Sequence, residues 1–203
     1  MKRKNVKFVA YVGIFSAIGL VFDLLAGLIP DFWGAGGSIS LAMLPIILMA
    51  YYYGVKGGLL TGLVIGSIQL FWGKPFGLPG ALLDYVIPYT IIGLCGIFIN
   101  KTYNQPKKKK ILLFGISILA VGLMRVAIHT ISGVLLYKAT LWASFVYNAP
   151  YVLVSIGLCL VLSLILVDRL DKLFIWKSET ESSDEVNFID DEIENDTNEK
   201  IGE

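Results

Sequence analysis

Tyr53-Gly54-Val55-Lys56-Gly57-Gly58 interrupts an apolar run that otherwise extends from Ile39 to Trp72. A bilayer's hydrocarbon core is about 30 Å thick and takes roughly 20 apolar residues per helical crossing, so Ile39 to Trp72 is far too long for one span. The glycine-rich hexapeptide with its single lysine reads as a tight turn. It divides the run into two short segments, Ile39 to Tyr53 and Val55 to Trp72.

Working outward, four further apolar runs appear, at about Lys7 to Ile29, Pro79 to Ile99, Ile111 to Leu136 and Ala143 to Val167. The spacing therefore predicts an all-α membrane protein of six transmembrane helices. Composition agrees: of 203 residues 56% are hydrophobic and only 16% charged, with a mean hydropathy of +0.71, a balance typical of chains folded in lipid.

Lys and Arg in short loops set orientation. Lys2, Arg3, Lys4 and Lys7 precede the first run, Lys56 follows the second, and Lys101 with Lys107 to Lys110 separates the fourth from the fifth. Arg169, Lys172 and Lys177 follow the sixth, while Lys74 and Lys138 fall on the other side. An even number of spans gathers the basic segments on one face, so both termini are expected to be cytoplasmic. The basic start followed by an apolar stretch is also the pattern of a signal peptide. The stretch is too long and has no small-x-small cleavage site at its end, so an uncleaved helix in a multi-pass cell-membrane protein is expected. The two cysteines, Cys95 and Cys159, lie inside spans without metal-ligand spacing and read as small buried hydrophobes. Beyond Ser178 the composition turns abruptly: eleven of the 16 acidic side chains follow it. Residues 1–177 are thus expected to form the membrane domain and 178–203 an acidic, disordered cytoplasmic tail.

Against this apolar background Asp23, Asp84, Arg125 and His129 stand out, because ionisable groups in hydrocarbon are costly and usually face a protein interior or a wet cavity. With the orientation above, Asp23 lies in the outer half of helix one and Asp84 with Tyr85 in the first turns of helix four. Arg125 and His129 lie one turn apart in the outer half of helix five, and Tyr147 and Asn148 near the start of helix six. The loops before helices two and four add Trp33 and Trp72. The expectation is an outward-facing ligand cavity with a carboxylate, an imidazole, an amide and the aromatic faces of Trp33, Trp72, Tyr85, Tyr137, Trp142 and Tyr147. Aromatic rings hold a flat heterocycle or a cation, which suggests a small, flat, polar, cationic ligand. Each residue also has a plainer reading. His129 is the only histidine and by itself reads as a hydrogen-bonded core residue, Asp84 complements a helix dipole, and Asp23 pairs with Arg125. Trp72 reads as an interfacial anchor, and Lys107 to Lys110 as a topology signal.

Gly36-Gly37-Ser38-Ile39-Ser40-Leu41-Ala42-Met43-Leu44-Pro45, Gly54-Val55-Lys56-Gly57-Gly58-Leu59, Leu82-Leu83-Asp84-Tyr85, Arg125-x-x-x-His129-x-x-Ser132-Gly133 and Tyr147-Asn148-Ala149-x-Tyr151 occur in that order. Together they resemble the substrate-binding S components of energy-coupling factor vitamin transporters, of the thiamine-specific kind. The resemblance implies a six-helix subunit that captures thiamine from outside and docks on a transmembrane coupling protein driven by two cytoplasmic ATPase subunits. It implies that Asp84 engages the aminopyrimidine, that Tyr85, His129 and Asn148 contact polar groups, and that Trp33 and Tyr137 flank the rings. Gly133 and Tyr147 stand within the matching motifs. It further implies that small residues four apart on helix one, here Gly13 and Ala17, face the coupling protein. The chain departs from the family in having Ala143 where an aromatic often lies and Tyr137 where some members carry Trp. Trp142, turned inward, would refill that space.

Thiamine is the first reading, with a related pyrimidine or thiazole precursor, or another vitamin, kept open. A stand-alone secondary carrier is a further alternative, for which internal repeats are expected and none is evident. An intramembrane enzyme finds no HExxH or GxSxG spacing, and no GxxxxGK[ST] loop binds nucleotide. No catalytic residue, cofactor, metal or nucleic-acid partner is expected.

Overall fold

The computed structural model describes residues 3–28, 39–73, 75–98, 106–167 and 169. The chain divides into two compact units, Met1–Leu164 and Ile165–Glu203; of the second, residues 165–167 and 169 are described, and the acidic tail lies outside the described residues.

Helix α1 spans Arg3–Ala26. A continuous helical assignment covers Met43–Ile68, but Gly54 within it has φ 66° and ψ −166°, a conformation open essentially to glycine alone. The chain reverses there. A Cβ on Gly58 would lie 2.7 Å from the Cβ of Ala50, and one on Gly57 2.9 Å from the carbonyl oxygen of Met49, whereas residues eight apart on a straight helix are separated by about 12 Å. At the far end of the pair, Gly19 of α1 packs against both Ile65 and the carbonyl of Ala42. By length and apolarity Met43–Phe71 passes for one of five crossing helices; the turn at Gly54 makes it two short antiparallel ones, α2 (43–53) and α3 (55–68). A single 3₁₀ turn, Gln69–Phe71, extends α3.

Helix α4 is composite. It opens at Gly77–Gly80, continues through a π-helical stretch Ala81–Val86 and an α-helical turn Ile87–Ile92, and tightens to 3₁₀ geometry at Gly93–Phe98. Gly58, Gly62 and Gly66, each four apart on α3, allow this irregular rod to approach closely. Gly62 sits directly beneath the carbonyl of Tyr89, and a Cβ on Gly66 would come within 2.8 Å of the carbonyl of Tyr85. Small residues at this spacing let helix backbones touch where lipid supplies no hydrophobic drive.

Helix α5 runs Lys107–Tyr137 and ends at Lys138, which takes the left-handed conformation at φ 54° while its N–H reaches back to Gly133. Thr140 then starts helix α6, Leu141–Val167, its Oγ1 accepting from the N–H of Ala143 at 3.2 Å, as an N-cap side chain does. The apolar core centres on α2, where Met43, Ile46, Ile47 and Met49 are fully buried. At one end of the bundle aromatic rings pack together, Phe8 and Tyr11 on Tyr53 and Tyr51 on Phe114, with the Lys110 ammonium 4.8 Å above the Tyr51 ring. Polar groups collect towards the other end.

Crowding at Gly62 and open space at Gly13, which has nothing within 4 Å of an added Cβ, predict opposite responses to enlargement. Gly62→Val is expected to lower stability by about 1 to 3 kcal/mol, the usual cost of overpacking, read as a reduced melting temperature in detergent. Gly13→Ala is expected to leave that temperature unchanged or slightly raised; equal losses in the two variants would contradict the packing described.

Candidate functional site

The polar end encloses a cavity of about 710 Å³. On α5 the residues Arg125, His129, Ser132 with Gly133, and Tyr137 recur at helical spacing and form one stripe. On α6 Ala143, Ser144, Tyr147, Asn148 and Tyr151 form another. The π-helical stretch of α4 carries Asp84 and Tyr85, and π turns of this kind are frequent at functional sites.

Asp84 is the centre of the arrangement. Ser132 Oγ donates to its Oδ1 at 2.5 Å, and His129 Nδ1 stands 3.8 Å from the same oxygen. Among the described residues no protein donor reaches Oδ2, so one carboxylate oxygen is held by the protein and the other is open to a ligand. His129 in turn accepts a hydrogen bond on Nε2 from Arg125 Nε at 3.3 Å. The Arg125 guanidinium lies 4.5 Å from the centroid of the Tyr89 ring, close enough for cation–π attraction. The Tyr89 hydroxyl donates to Asp23 Oδ1 at 3.3 Å. Ser40 Oγ donates to the same oxygen at 2.9 Å, and the Ser40 main-chain N–H is held by Ser155 Oγ at 3.0 Å.

Helices α5 and α6 are stitched together beside this row. Ser144 Oγ donates to the carbonyl of Thr130 at 2.8 Å. Asn148 Nδ2 donates to the carbonyls of Ser144 at 2.9 Å and His129 at 3.3 Å, while its Oδ1 accepts from the Tyr151 hydroxyl at 2.5 Å. Gly133 permits this closeness, since a side chain there would run into Ser144 Oγ. At the cavity's edge the Tyr137 ring rests on Phe76, centroids 5.8 Å apart.

Of the residues singled out in the sequence, Asp84, Tyr85, His129, Gly133, Tyr137, Tyr147 and Asn148 all line this one cavity. Trp33 lies outside the described residues. Trp142 does not line the cavity: it is 73% exposed and stacks on Phe145 at 6.0 Å, so it leaves the space beside Ala143 unfilled. The expected Asp23–Arg125 ion pair is also absent, because the Tyr89 ring and hydroxyl stand between the two charges and partner each of them. Trp72, read as an interfacial anchor, also lines the cavity. Sequence reasoning passed over Tyr89, Ser40, Gln69, Ser144 and Tyr151 as lining residues. The signal for Ser144 and Tyr151 was present in their i, i+4, i+7 spacing with Asn148.

An all-helical membrane bundle that gathers a carboxylate, an imidazole, amides and aromatic rings around one interior cavity defines a membrane protein built to hold a small polar solute. The family model described as Thiamine transporter protein (Thia_YuaJ) matches residues 9–175, and the chain belongs to that family. It is 34% identical over 161 residues to the thiamine transporter ThiT of Bacillus subtilis, covering 73% of this chain and 83% of that protein. The solved structure of ThiT from Listeria monocytogenes superimposes with a TM-score of 0.71 at 25% identity, covering 85% of this chain and 99% of that one.

The Tyr89 side chain has two separable duties, a ring for Arg125 and a hydroxyl for Asp23. Tyr89→Phe is expected to cost about 1 kcal/mol, the net worth of a hydrogen bond, and Tyr89→Leu to cost more because the cation–π face is lost as well. Thermal melts of both variants test this; two melts indistinguishable from the parent would contradict the bridging role.

Proposed function

We propose that this chain is the substrate-binding S subunit of an energy-coupling factor importer, capturing thiamine from outside the cell in the cavity around Asp84. The reading takes both termini as cytoplasmic and the cavity as opening outward, in keeping with the concentration of Lys and Arg in the loops of the other face. The observation that carries it is the half-satisfied carboxylate of Asp84. Thiamine presents an aminopyrimidine, whose amino group donates hydrogen bonds, and a thiazolium, which is a permanent cation. Asp84 Oδ2 accepts from the former, while the tyrosine rings of Tyr85, Tyr137 and Tyr147 offer π faces to the latter. His129 and Asn148 contribute polar contacts, and Trp33 is assigned to ring stacking on the family resemblance.

Energy comes from elsewhere in this reading. A transmembrane coupling protein and two cytoplasmic ATPase subunits are the proposed partners, with the coupling protein seated on α1. Gly13 and Ala17 are exposed there, and their small side chains allow close helix approach. Val9, Ile14, Val21 and Leu25 on the same helix are likewise exposed.

Titration of the purified protein with thiamine, followed by tryptophan fluorescence, tests the binding. Asp84→Asn is expected to weaken affinity about 10- to 100-fold, since a charge-assisted hydrogen bond is worth about 1.5 to 3 kcal/mol. Trp142→Ala, at a position outside the cavity, is expected to bind as the parent does. Equal losses in the two variants, or no response to thiamine in the parent, would overturn the assignment. Robust thiamine uptake in cells that lack a coupling module would instead favour a stand-alone carrier.

A further inference from the structure

Arg125 is a charged cavity residue whose role neither packing nor the proposed ligand accounts for. It is 5% exposed, its Nη1 has no hydrogen-bond partner, and no carboxylate neutralises it among the described residues. A buried cation with no counter-charge is costly, and its position one turn before the histidine on the same face of α5 has a definite chemical consequence. Arginine is a donor only and stays protonated, so the 3.3 Å contact from its Nε to His129 Nε2 requires a lone pair on Nε2. The ring proton of His129 is then on Nδ1, the nitrogen that stands 3.8 Å from Asp84 Oδ1. Which nitrogen of a histidine carries the proton is set by the hydrogen bond made by the other.

From this geometry we infer that Arg125 is a positioning residue: by donating to Nε2 it fixes the tautomer of His129, so that the imidazole presents an N–H, and not a lone pair, to Asp84. The inference rests on the reading of Asp84 as the ligand's carboxylate. With Nδ1–H and the Ser132 hydroxyl both directed at Oδ1, the negative charge of Asp84 is steadied from one side and Oδ2 stays available on the other. The opposite tautomer would set the Nδ1 lone pair against the carboxylate and repel it. The Arg125 guanidinium itself lies on the Tyr89 ring, and the Tyr89 hydroxyl donates to Asp23, so the chain of contacts runs from α1 to Asp84. Asp84 Oδ1 favours the same tautomer but at 3.8 Å stands beyond a normal hydrogen bond, so the closer contact is the one from Arg125; the Tyr151 ring stands edge-on at 6.4 Å, and Asn148 bonds only the main-chain carbonyl of His129.

Because His129 is the only histidine in the chain, ring-¹⁵N-labelled histidine gives one assignable pair of nitrogen signals once any affinity tag is removed. In the full-length protein near neutral pH, Nδ1 is expected to be the protonated nitrogen and Nε2 the bare one. In Arg125→Met the Nε2 signal is expected to move to the protonated range, and in Arg125→Lys, which keeps a donor-only cation, to remain bare. Thiamine affinity is expected to fall about tenfold in Arg125→Met, the equivalent of one hydrogen bond, and to recover most of that loss in Arg125→Lys. A protonated Nε2 in the unsubstituted protein, or identical spectra for it and Arg125→Met, overturns the inference. The spectrum needs no ligand, so a protein that shows the expected tautomer but ignores thiamine would remove the functional reading while leaving the positioning of His129 in place.

Discussion

Ionised side chains within a bilayer are stable only where the protein surrounds them with partners, and the polar end of this bundle is organised around that constraint. Asp23, Asp84 and Arg125 bring three charges into the polar end of the bundle, away from the lysines at the helix ends. Each finds a partner beyond its own helix: Asp23 in Ser40 and Tyr89, Arg125 in Tyr89, besides His129 of its own helix, and Asp84 in Ser132. The result is a row of polar contacts crossing from α1 through α4 to α5, tied to α6 through Asn148 and Ser144. Removing one member of such a network leaves its neighbours buried and unsatisfied, which costs more than the contact itself. The cavity is therefore built from the same groups that hold the helices in place.

Close backbone approach makes the row possible. Glycines on α3 allow α4 to settle against it, and Gly133 on α5 allows the same for α6. The π-helical stretch Ala81–Val86 matters for the same reason. It carries Asp84 and Tyr85 beside α3, where Gly66 meets the Tyr85 carbonyl, and Tyr89 follows one ordinary turn after Tyr85 into the same cavity.

The six-helix arrangement was legible because a glycine-rich turn breaks an overlong apolar run, and Gly54 performs the reversal its surroundings suggested. The convergence of Asp84, His129 and Asn148 was legible too, since charges and amides inside apolar helices have few places to go. Tyr89 was passed over although it stands four residues after Tyr85, because a tyrosine in an apolar helix carries no charge to mark it. Asp23 and Arg125 were recognised as costly charges and matched to each other by depth alone, when an intervening tyrosine satisfies both. Trp142 failed for a rotational reason. Ala143, Ser144 and Tyr147 set which face of α6 points inward, and that face excludes Trp142.

A structure of the protein determined with thiamine bound is the most direct test of the account. It predicts the ligand inside the cavity, with the aminopyrimidine within hydrogen-bonding distance of Asp84 Oδ2 and the thiazolium against tyrosine rings. A ligand seated elsewhere, or an Asp84 carboxylate that makes no contact with it, would contradict the central claim.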